Sequence, residues 1–567
     1  MIRNIIRWGV LVATVGLGAC EKQLVVTNPN NPETARVLAS PLDAEALIGS
    51  YYKRAHDGLY RNLGNFHGMA NVMSFQNYSS LANNCQNSRY AFTGSTNSNA
   101  PGNTCQGEQQ RVYFIESEVD RVASNVLAKM DGGLSLGSAA QDLRARAFAE
   151  FLRGFSLGYL ALFYDSAAVV SAGTSAIDGG ALLPYTEVMD SALAALQRSI
   201  DATNPTPAAT GLNGFPLPNS WLPTPTSLTA VEFTKLVKSY RARFRATVGR
   251  TAIERQAANW PAIIADAQAG ITADHLNTTN SVNGPFYTWA SQYETYGLWH
   301  QMTPFIIGMG DVSGTYKAWL AQAIGERGAG GQFFFMDSPD QRLPQGSTRA
   351  AQQADFAITS CQASLTVCKR YFVNRPSGND QAAGSGWGWS QYDFVRFHAW
   401  KVSGSAGTGQ NGDLPFFTKT ELDMIQAEGK MRLAVPDYAG ALALINLSRV
   451  AKGGLPPLVA ADNTTPVPGG AACVPQIPVA PFTGQTACGT MWEAMKWEKR
   501  VETAYTHFAA WWLDSRGWND LAKDLPLFWA VPYQDLLARG NNAIYGAGIG
   551  TGNSPNSFQP TVGTYGW

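Results

Sequence analysis

Three acidic residues that lie close together in the sequence, Glu493, Glu498 and Glu502, are candidates for catalytic chemistry. Glycoside hydrolysis needs two carboxyl groups about 5–10 Å apart across the sugar. Three basic residues are interleaved with these acids: Lys496, Lys499 and Arg500. Opposite charges three or four residues apart pair along a helix, so the pattern favours a salt-bridged structural face. We therefore predict no enzymatic activity, with a secreted all-α glycoside hydrolase as the alternative.

Aromatic residues in predicted loops indicate a binding chemistry instead. Sugars present apolar C–H faces ringed by hydroxyl groups, so their sites combine flat rings with a few hydrogen-bonding side chains. Segments 286–300 and 387–393 have this mixture, and segment 77–90 is a third candidate. The candidate ligand-binding residues are Tyr78, Tyr287, Trp289, Tyr293, Tyr296, Trp299, Trp387, Trp389 and Tyr392. The alternative is that these aromatics only pack the loops against the scaffold.

A short apolar run near the start of the chain ends at Cys20, after two basic residues, Arg3 and Arg7. The run is too short to span a bilayer as a mature helix, and its form is typical of a signal peptide. Leu17-Gly18-Ala19-Cys20 resembles the lipobox of bacterial lipoproteins, which implies cleavage before Cys20 and acylation of that residue. Because several acyl chains on one residue give stable anchoring, we expect a membrane-anchored protein. Glu21 follows, which favours the outer membrane.

The other six cysteines form three pairs that are close in sequence: Cys85 and Cys105, Cys361 and Cys368, Cys473 and Cys488. An exported protein can keep disulfide bonds, and the local pairing is the one we expect among the fifteen possible. Zinc is a weaker interpretation, because the CxxC and HxxxH spacings are absent. We predict structural disulfides, no metal site and no cofactor.

The charge balance excludes one class of partner. The 567 residues contain 42 Lys and Arg against 42 Asp and Glu, so no basic excess is available to neutralise phosphates. We therefore predict that the protein does not bind nucleic acid. The 16 Trp, 21 Tyr and 56 Gly indicate long ordered loops with aromatic surfaces.

The regular segments have helical patterns. Segment 40–43 (SPLD) predicts a helix that begins at its proline and runs to about residue 55. Large apolar residues repeat at helical spacing over 148–163, where small residues allow a neighbouring helix to approach. Capping boxes at 229–232 and 418–421 predict two further helix starts, and a second helix of a hairpin is expected over 437–450. The sequence therefore predicts a mostly α protein.

Long stretches rich in Gly, Asn, Ser, Thr and Pro separate the helices, roughly at 58–110, 202–228, 329–414 and 460–490. Such long loops are usually functional or disordered, and their aromatics and cysteines favour ordered loops laid over a helical scaffold. We expect a signal peptide (1–19), an anchor and linker (20–39), an N-terminal region (40–330) and a C-terminal region (331–567). The last two regions are predicted to intertwine as one domain.

A series of short motifs resembles SusD/RagB outer-membrane lipoproteins. The helix pair at 421–449 contains an Ala-Glu step at 427–428 and the pattern A-L-x-x-I-N-x-x-R at 441–449. Segments 498–505, 512–518 and 530–536 are similar to the family motifs E-R-R-x-E-x-A-F, W-x-D-L-R-R-W and P-I-P-x-x-E-L. Upstream, 340–343 (DQRL) is similar to D-P-R-L, and 151–155 (FLRGF) to the start of F-L-R-A-x-x-Y. Gln341 and Thr506-His507 depart from these patterns.

This resemblance covers nearly the whole mature chain. It implies tetratricopeptide-like helical hairpins covered by long loops, and a lipid anchor that faces the cell exterior. It also implies capture of an oligosaccharide, or in some members a peptide, and its delivery to a TonB-dependent outer-membrane barrel of the SusC type, on which the protein acts as a lid. Calcium is an accessory in some members, but no acidic loop with ligand spacing places one here.

Overall fold

The computed structural model describes residues 40–60, 66–79, 98–103, 105–171, 179–203, 214–280, 286, 300–323, 326–327, 334–355, 370–375, 390–397, 412–506, 508–546, 559 and 561–567. Helices dominate this part, so the predicted mostly α fold is confirmed. The helices are α1 (Pro41–Tyr60), α2 (Phe66–Met73), α3 (Gln106–Asp131), α4 (Ala139–Phe163), α5 (Tyr185–Thr203), α6 (Ala230–Thr247), α7 (Ala252–Gln256), α8 (Trp260–Gln268), α9 (Pro304–Ile307), α10 (Thr315–Ala321), α11 (Arg349–Asp355), α12 (Lys419–Arg432), α13 (Tyr438–Ala451), α14 (Met491–Thr503), α15 (Ala510–Trp518) and α16 (Tyr533–Ala538).

Short antiparallel strand pairs lie between the helices. The strands are β1 (Asn77–Ser79), β2 (Ser166–Ala168), β3 (Leu182–Pro184), β4 (His275–Thr279), β5 (His300–Met302), β6 (Phe372–Asn374), β7 (Tyr392–Phe394), β8 (Gly412–Phe417), β9 (Gln476–Pro478) and β10 (Thr486–Cys488). They pair as β1–β5, β2–β3, β4–β8, β6–β7 and β9–β10. No described helix combines the length and apolar character needed to cross a membrane.

The core of the N-terminal helices is an aromatic ladder between α4 and α6. Successive rings of α4 each meet a ring of α6: Phe151 with Phe233, Phe155 with Tyr240, and Tyr159 with Phe244, at centroid distances of 5.4, 5.3 and 5.4 Å. The contacts advance by four residues at each step on α4 and by seven and then four residues on α6, which is the spacing of one helix face. The periodicity predicted over 148–163 is therefore confirmed as a buried face.

Capping explains where several of these helices begin. Thr229 and Glu232 form the predicted capping box, because each side chain accepts a hydrogen bond from the other residue's backbone N–H. The prediction for 418–421 was only half right. Thr418 accepts from the N–H of Glu421, but the carboxylate of Glu421 is buried and binds both Nε and Nη2 of Arg243 on α6 at 2.8 and 2.7 Å.

Gly158 lets α4 approach α6 closely. A Cβ atom built at this glycine would lie 2.2 Å from the ring of Phe244, far inside van der Waals contact. The same helix has Gly154, where a Cβ would lie 2.5 Å from the side chain of Leu196 on α5. The small residues of α4 thus set its distance from two neighbours.

We expect Gly158→Ala to lower the free energy of unfolding by about 1–3 kcal/mol, because the methyl group overpacks the α4–α6 contact. Chemical denaturation measures the change. Gly102→Ala is the matched control, since a Cβ there meets nothing within 4 Å. Equal stabilities of the two variants would contradict the close-packing interpretation.

Strand pairing and buried ion pairs join the N-terminal and C-terminal regions. Strand β4 pairs with β8, with His275 opposite Phe417 and Thr279 opposite Gly412. Arg255 on α7 binds Glu428 on α12 at 2.6 Å and Asp514 on α15 at 2.9 Å, all three side chains being buried. Segments that are more than 130 residues apart in sequence thus share one core.

The segment 460–490 is an ordered loop, as predicted. Cys473 and Cys488 form a disulfide bond that ties β10 to the residues just before β9, which confirms this local pair. Cys105 is also disulfide-bonded. Cys85, Cys361 and Cys368 lie outside the described residues, so their pairing stays a prediction.

Glu116 is a buried acid in the interface between α1 and α3. Neither of its carboxylate oxygens has a hydrogen-bond partner among the described residues. Burial raises the pKa of Glu116 to about 8, and Ser156 and Arg54 lower it by less. The folded protein therefore keeps this carboxyl group neutral, whereas the unfolded chain ionises it near its ordinary pKa of 4.5.

Stability should consequently fall as the pH rises from 4.5 to 8, because the folded state binds one more proton than the unfolded state in this window. We expect a loss of roughly 2–5 kcal/mol in the wild type across this window, and its absence in Glu116→Gln. Denaturation at a series of pH values measures it. The exposed Glu187→Gln is the control, and a wild-type-like slope in Glu116→Gln would contradict the prediction.

Candidate functional site

Two of the predicted aromatic loops start from one strand pair. Tyr78 in β1 lies opposite Gln301 in β5, and Ser79 lies opposite His300. The first loop leaves β1 after Ser79, and the second ends where β5 begins at His300. The sequence separates these loops by about two hundred residues, but the fold places their roots side by side.

The third aromatic loop is rooted next to them. It connects β6 to β7, in which Asn374 lies opposite Tyr392 and Phe372 opposite Phe394. Strand β5 packs beside β7, and the Ser390 hydroxyl donates a hydrogen bond to the carbonyl oxygen of Met302. The roots of all three predicted ligand loops therefore lie on adjacent strands, which we call the loop root (β1, β5, β6 and β7).

Tyr392 is the one predicted ligand residue whose side chain is described. It is fully buried, and its hydroxyl group donates to Gln352 Oε1 at 2.9 Å and accepts from the Met336 N–H at 2.8 Å. Asn374 donates to the same Gln352 oxygen at 3.0 Å. Burial raises the pKa of Tyr392 well above its ordinary value. The ring holds the β6–β7 hairpin against α11, and its contact with a ligand stays a prediction.

The backbone of Tyr78 is described as part of β1, at the edge of the loop root. The remaining ligand candidates lie outside the described residues: Tyr287, Trp289, Tyr293, Tyr296, Trp299, Trp387 and Trp389. Cys20, the predicted lipidation site, lies outside them too. Their roles stay predictions.

Phe286, the first residue of the second aromatic cluster, has a structural role. Its ring is buried against His56 at a centroid distance of 5.5 Å, and its N–H donates to Asn280 Oδ1 at 3.3 Å. The cluster thus begins with an anchor on α1. For this one residue the packing interpretation holds.

The loop root packs on aromatic residues that were not predicted from the sequence. Phe75 precedes β1, Phe305 follows β5, and their rings stack at 4.4 Å. Trp567 meets both rings edge-on, at 5.4 and 5.1 Å. Tyr505 donates to the Met302 sulfur at 3.3 Å and packs its ring on Phe394 at 4.7 Å. These residues are far apart in sequence, so no local pattern pointed to them.

Two of the three acids considered for catalysis, Glu498 and Glu502, belong to a buried ion cluster, the Arg342 cluster (Asp340, Arg342, Lys452, Glu498 and Glu502). Arg342 contacts Asp340 and Glu498 at 2.7 Å each and Glu502 at 3.2 Å. Lys452 binds the other oxygen of Glu502 at 2.7 Å. All these side chains except Lys452 are fully buried, which is typical of a structural network rather than of carboxylates open to a substrate.

Positive charges stabilise the ionised form of Glu502, whereas burial raises the pKa of Glu498 despite its contact with Arg342. Burial alone would raise the pKa of Glu502, but Arg396, Lys452 and Arg342 outweigh it and hold the pKa at about 2. Glu498 Oε2 also accepts a hydrogen bond from Ser448 on α13 at 2.7 Å. The cluster therefore links α13 and α14 to the loop that contains Asp340.

The predicted salt-bridged face of α14 is partly confirmed. Lys496 pairs with Glu493 within the helix at 3.2 Å. Lys499, however, pairs with Asp514 on α15 at 2.7 Å, and Arg500 with Asp520 beyond that helix. The face is buried, and its charges join α14 to neighbouring segments instead of only to one another.

Comparison with solved structures decides the fold. A SusD superfamily protein from Parabacteroides distasonis superposes with a TM-score of 0.55 at 10% identity, over 89% of this chain and 98% of that one. A SusD-like carbohydrate-binding protein from Bacteroides fragilis gives 0.51 at 11% identity, over 94% and 95%. Surface glycan-binding protein A from Bacteroides thetaiotaomicron gives 0.50 at 10%, over 89% and 99%.

The chain has the SusD-like fold. No family model and no curated protein matches the sequence. The likeness to solved structures therefore confirms the resemblance to SusD/RagB proteins at the level of the fold. The tetratricopeptide-like helical architecture expected from the motifs is confirmed with it.

The contacts of Arg342 also explain two of the sequence motifs. The arginine of DQRL is Arg342, and the glutamates of the 498–505 motif are its partners Glu498 and Glu502. In the described part of the chain, no group of three or more His, Cys, Asp or Glu side chains is arranged to hold a metal ion.

Proposed function

We propose that this protein is a cell-surface nutrient-binding lipoprotein that captures a glycan, or a peptide, and delivers it to a TonB-dependent outer-membrane barrel. One observation carries the proposal: the three aromatic loops start from one set of adjacent strands. Rings and hydrogen-bonding groups from separate parts of the sequence can therefore meet over one ligand.

A glycan is the favoured ligand class. The loop segments 287–299 and 376–389 combine tryptophan and tyrosine with Ser, Gln and Asn, as stacking on C–H faces and bonding to hydroxyl groups require. Two of the similar structures are described as binding carbohydrate or glycan. The rigid helical scaffold below the loops supplies the preorganisation that reduces the entropic cost of binding.

The proposed role is binding without catalysis. Of the acids that a glycosidase interpretation would use, Glu498 and Glu502 are fully buried and engaged with Arg342, and Glu493 is paired with Lys496. Burial raises the pKa of Glu498 but gives it no access to a sugar, and the pKa of Glu502 is low. A general acid for glycoside cleavage needs a raised pKa and access to the sugar. The secreted hydrolase therefore finds no support in the described acids of this segment.

Lipid anchoring at Cys20 would place the protein on the outer membrane, facing the cell exterior. The partner in the proposal is a SusC-like barrel, over which the protein acts as a lid.

The test is isolation of the tagged protein from its native outer membrane in mild detergent, followed by mass spectrometry and by screening of the purified protein against a glycan array. We expect an acylated N-terminus at Cys20, a TonB-dependent barrel in stoichiometric amount, and binding to a restricted set of glycans. A protein recovered alone and without acyl chains would contradict the anchoring and delivery roles. Failure to bind any glycan or peptide would contradict capture.

A further inference from the structure

A groove lies beside α3, between this helix, the β2–β3 pair and α16, and we call it the α3 groove. Its narrower part has a volume of about 300 Å³ and its wider part about 600 Å³, and both are lined by Ala538 and Arg539. Cavities of this size suit a small organic ligand. None of the lining residues belongs to the loop root, so the groove is a separate place on the molecule.

The described lining of the narrower part contains two acids, Glu118 and Asp535, and two arginines, Arg121 and Arg539. Glu118 is paired with Arg54 at 2.7 Å, and Asp535 with Arg539 at 2.6 Å, so both carboxylates are neutralised. Arg121 also lines the groove, and it has no hydrogen-bond or ion-pair partner among the described residues. Among the charged side chains that line the groove in the described part of the chain, Arg121 is therefore the one without an ion-pair contact.

The acid next to Arg121 in sequence, Asp120, interacts with it electrostatically but makes its ion-pair contact with another arginine. Asp120 is buried, is paired with Arg153 at 3.0 Å, and accepts the N–H of Val170 at 3.1 Å. A guanidinium group with unused donors in a fixed fork is suited to bind a carboxylate through two hydrogen bonds.

An aromatic ring and a hydroxyl group share the helix face with Arg121. Phe114, Ser117 and Arg121 follow one another at i, i+3 and i+7, and all three line the narrower part of the groove. Phe114 is 39% exposed, which is unusual for this residue type. Seven residues of helix span about 10 Å, enough for a pyranose ring with its carboxylate at one end. Ala168 and Val170 form an apolar wall behind it.

We propose that the α3 groove binds an acidic sugar of the uronic acid class. The C–H face of the pyranose lies on Phe114, the carboxylate is bound by Arg121, and a ring hydroxyl bonds to Ser117. This site does not depend on the proposed function of the loops, because the two sites have no residue in common.

The experiment measures binding of D-glucuronate and of methyl β-D-glucopyranoside to the full-length protein in detergent by saturation-transfer NMR titration. We expect glucuronate to bind more tightly than the neutral glucoside, with an affinity that falls as salt is raised. Arg121→Gln should weaken glucuronate binding by roughly tenfold or more and leave the weak glucoside binding unchanged. Phe114→Ala should weaken binding of both sugars.

Matched control variants separate a loss of binding at the groove from effects of a changed net charge or of a lost exposed apolar side chain. Lys129→Gln removes one positive charge from an exposed position of the same helix, and Leu537→Ala removes an exposed apolar side chain from α16 that does not line the groove. Both controls should bind like the wild type. The double variant Trp387→Ala/Trp389→Ala should also bind glucuronate like the wild type. This result would distinguish the α3 groove from the site proposed at the loops.

Three results would overturn the proposal. They are no glucuronate binding by the folded wild type, equal glucuronate affinity in wild type and Arg121→Gln, and loss of glucuronate binding on removal of the loop tryptophans. Circular dichroism establishes in each case that the variant is folded.

Discussion

Replacement of Arg342 by methionine is expected to lower the free energy of unfolding by about 3–5 kcal/mol. The guanidinium group is fully buried and is the shared partner of Asp340, Glu498 and Glu502. Its removal leaves three carboxyl groups in a low-dielectric interior, with Lys452, Arg396 and Arg449 as nearby positive charges. The loss of one partner of a buried ion network costs far more than the net worth of the pair.

The pH dependence of this effect has a defined sign. Because the folded pKa of Glu502 is about 2 and its ordinary pKa is 4.5, the ionised acid contributes stability that is fully present above pH 4.5 and is lost as the pH falls towards 2. The difference in stability between wild type and Arg342→Met should therefore shrink over this window. Denaturation in guanidinium chloride at several pH values measures it.

A surface arginine provides the control. Arg198 pairs with Glu150 through two hydrogen bonds, much like Arg342 with Glu498, but about half of its side chain is exposed. We expect Arg198→Met to cost no more than about 1 kcal/mol. Equal losses in the two variants would contradict the view that burial makes the Arg342 cluster important.

Simultaneous replacement of Trp387 and Trp389 by alanine is expected to weaken glycan binding by at least about 100-fold, because buried tryptophans at binding sites commonly contribute 2 kcal/mol or more each. The two residues belong to the loop between β6 and β7, whose strands are held by the Arg375–Asp393 ion pair at 3.0 Å. Since the hairpin is anchored below the loop, the variant should keep the wild-type melting temperature. Isothermal titration with a glycan found on the array measures the affinity.

Trp492 offers a matched tryptophan outside the loops. It lies partly buried on α14 beside Trp518, with a centroid distance of 6.4 Å. Trp492→Ala should reduce stability through lost packing but leave glycan affinity unchanged. If the loop variant bound as tightly as the wild type, the aromatic residues of this loop would have only a packing role.

The helices were predictable because their signals are local. The box at Thr229 and the apolar stripe of α4 each lie within about twenty residues of sequence, and both appear as predicted. Helix α1 runs on to Tyr60, five residues past the predicted end, because its last turns are buried by tertiary packing. Helix propensity is a weak guide to where a helix ends when tertiary packing stabilises its last turns.

The candidate site was only partly predictable, for two physical reasons. Strands of three residues, such as β1 and β5, are too short to show an alternating pattern, and their partners are more than two hundred residues away. Charged residues are also expected at the surface, so the i+3 and i+4 spacing around Glu498 predicted local pairs. Its main partner, Arg342, instead comes from 156 residues upstream.

The three aromatic loops are proposed to form one glycan site above the loop root. Hydroxyl-radical footprinting of the full-length protein, with and without a bound glycan, tests it most directly, because oxidation of each tryptophan and tyrosine is read by mass spectrometry. We predict that the glycan protects residues in all three segments together: Tyr78 and Tyr90, Trp289 and Trp299, Trp387 and Trp389. Protection confined to one segment, or to residues outside them, would contradict a shared site.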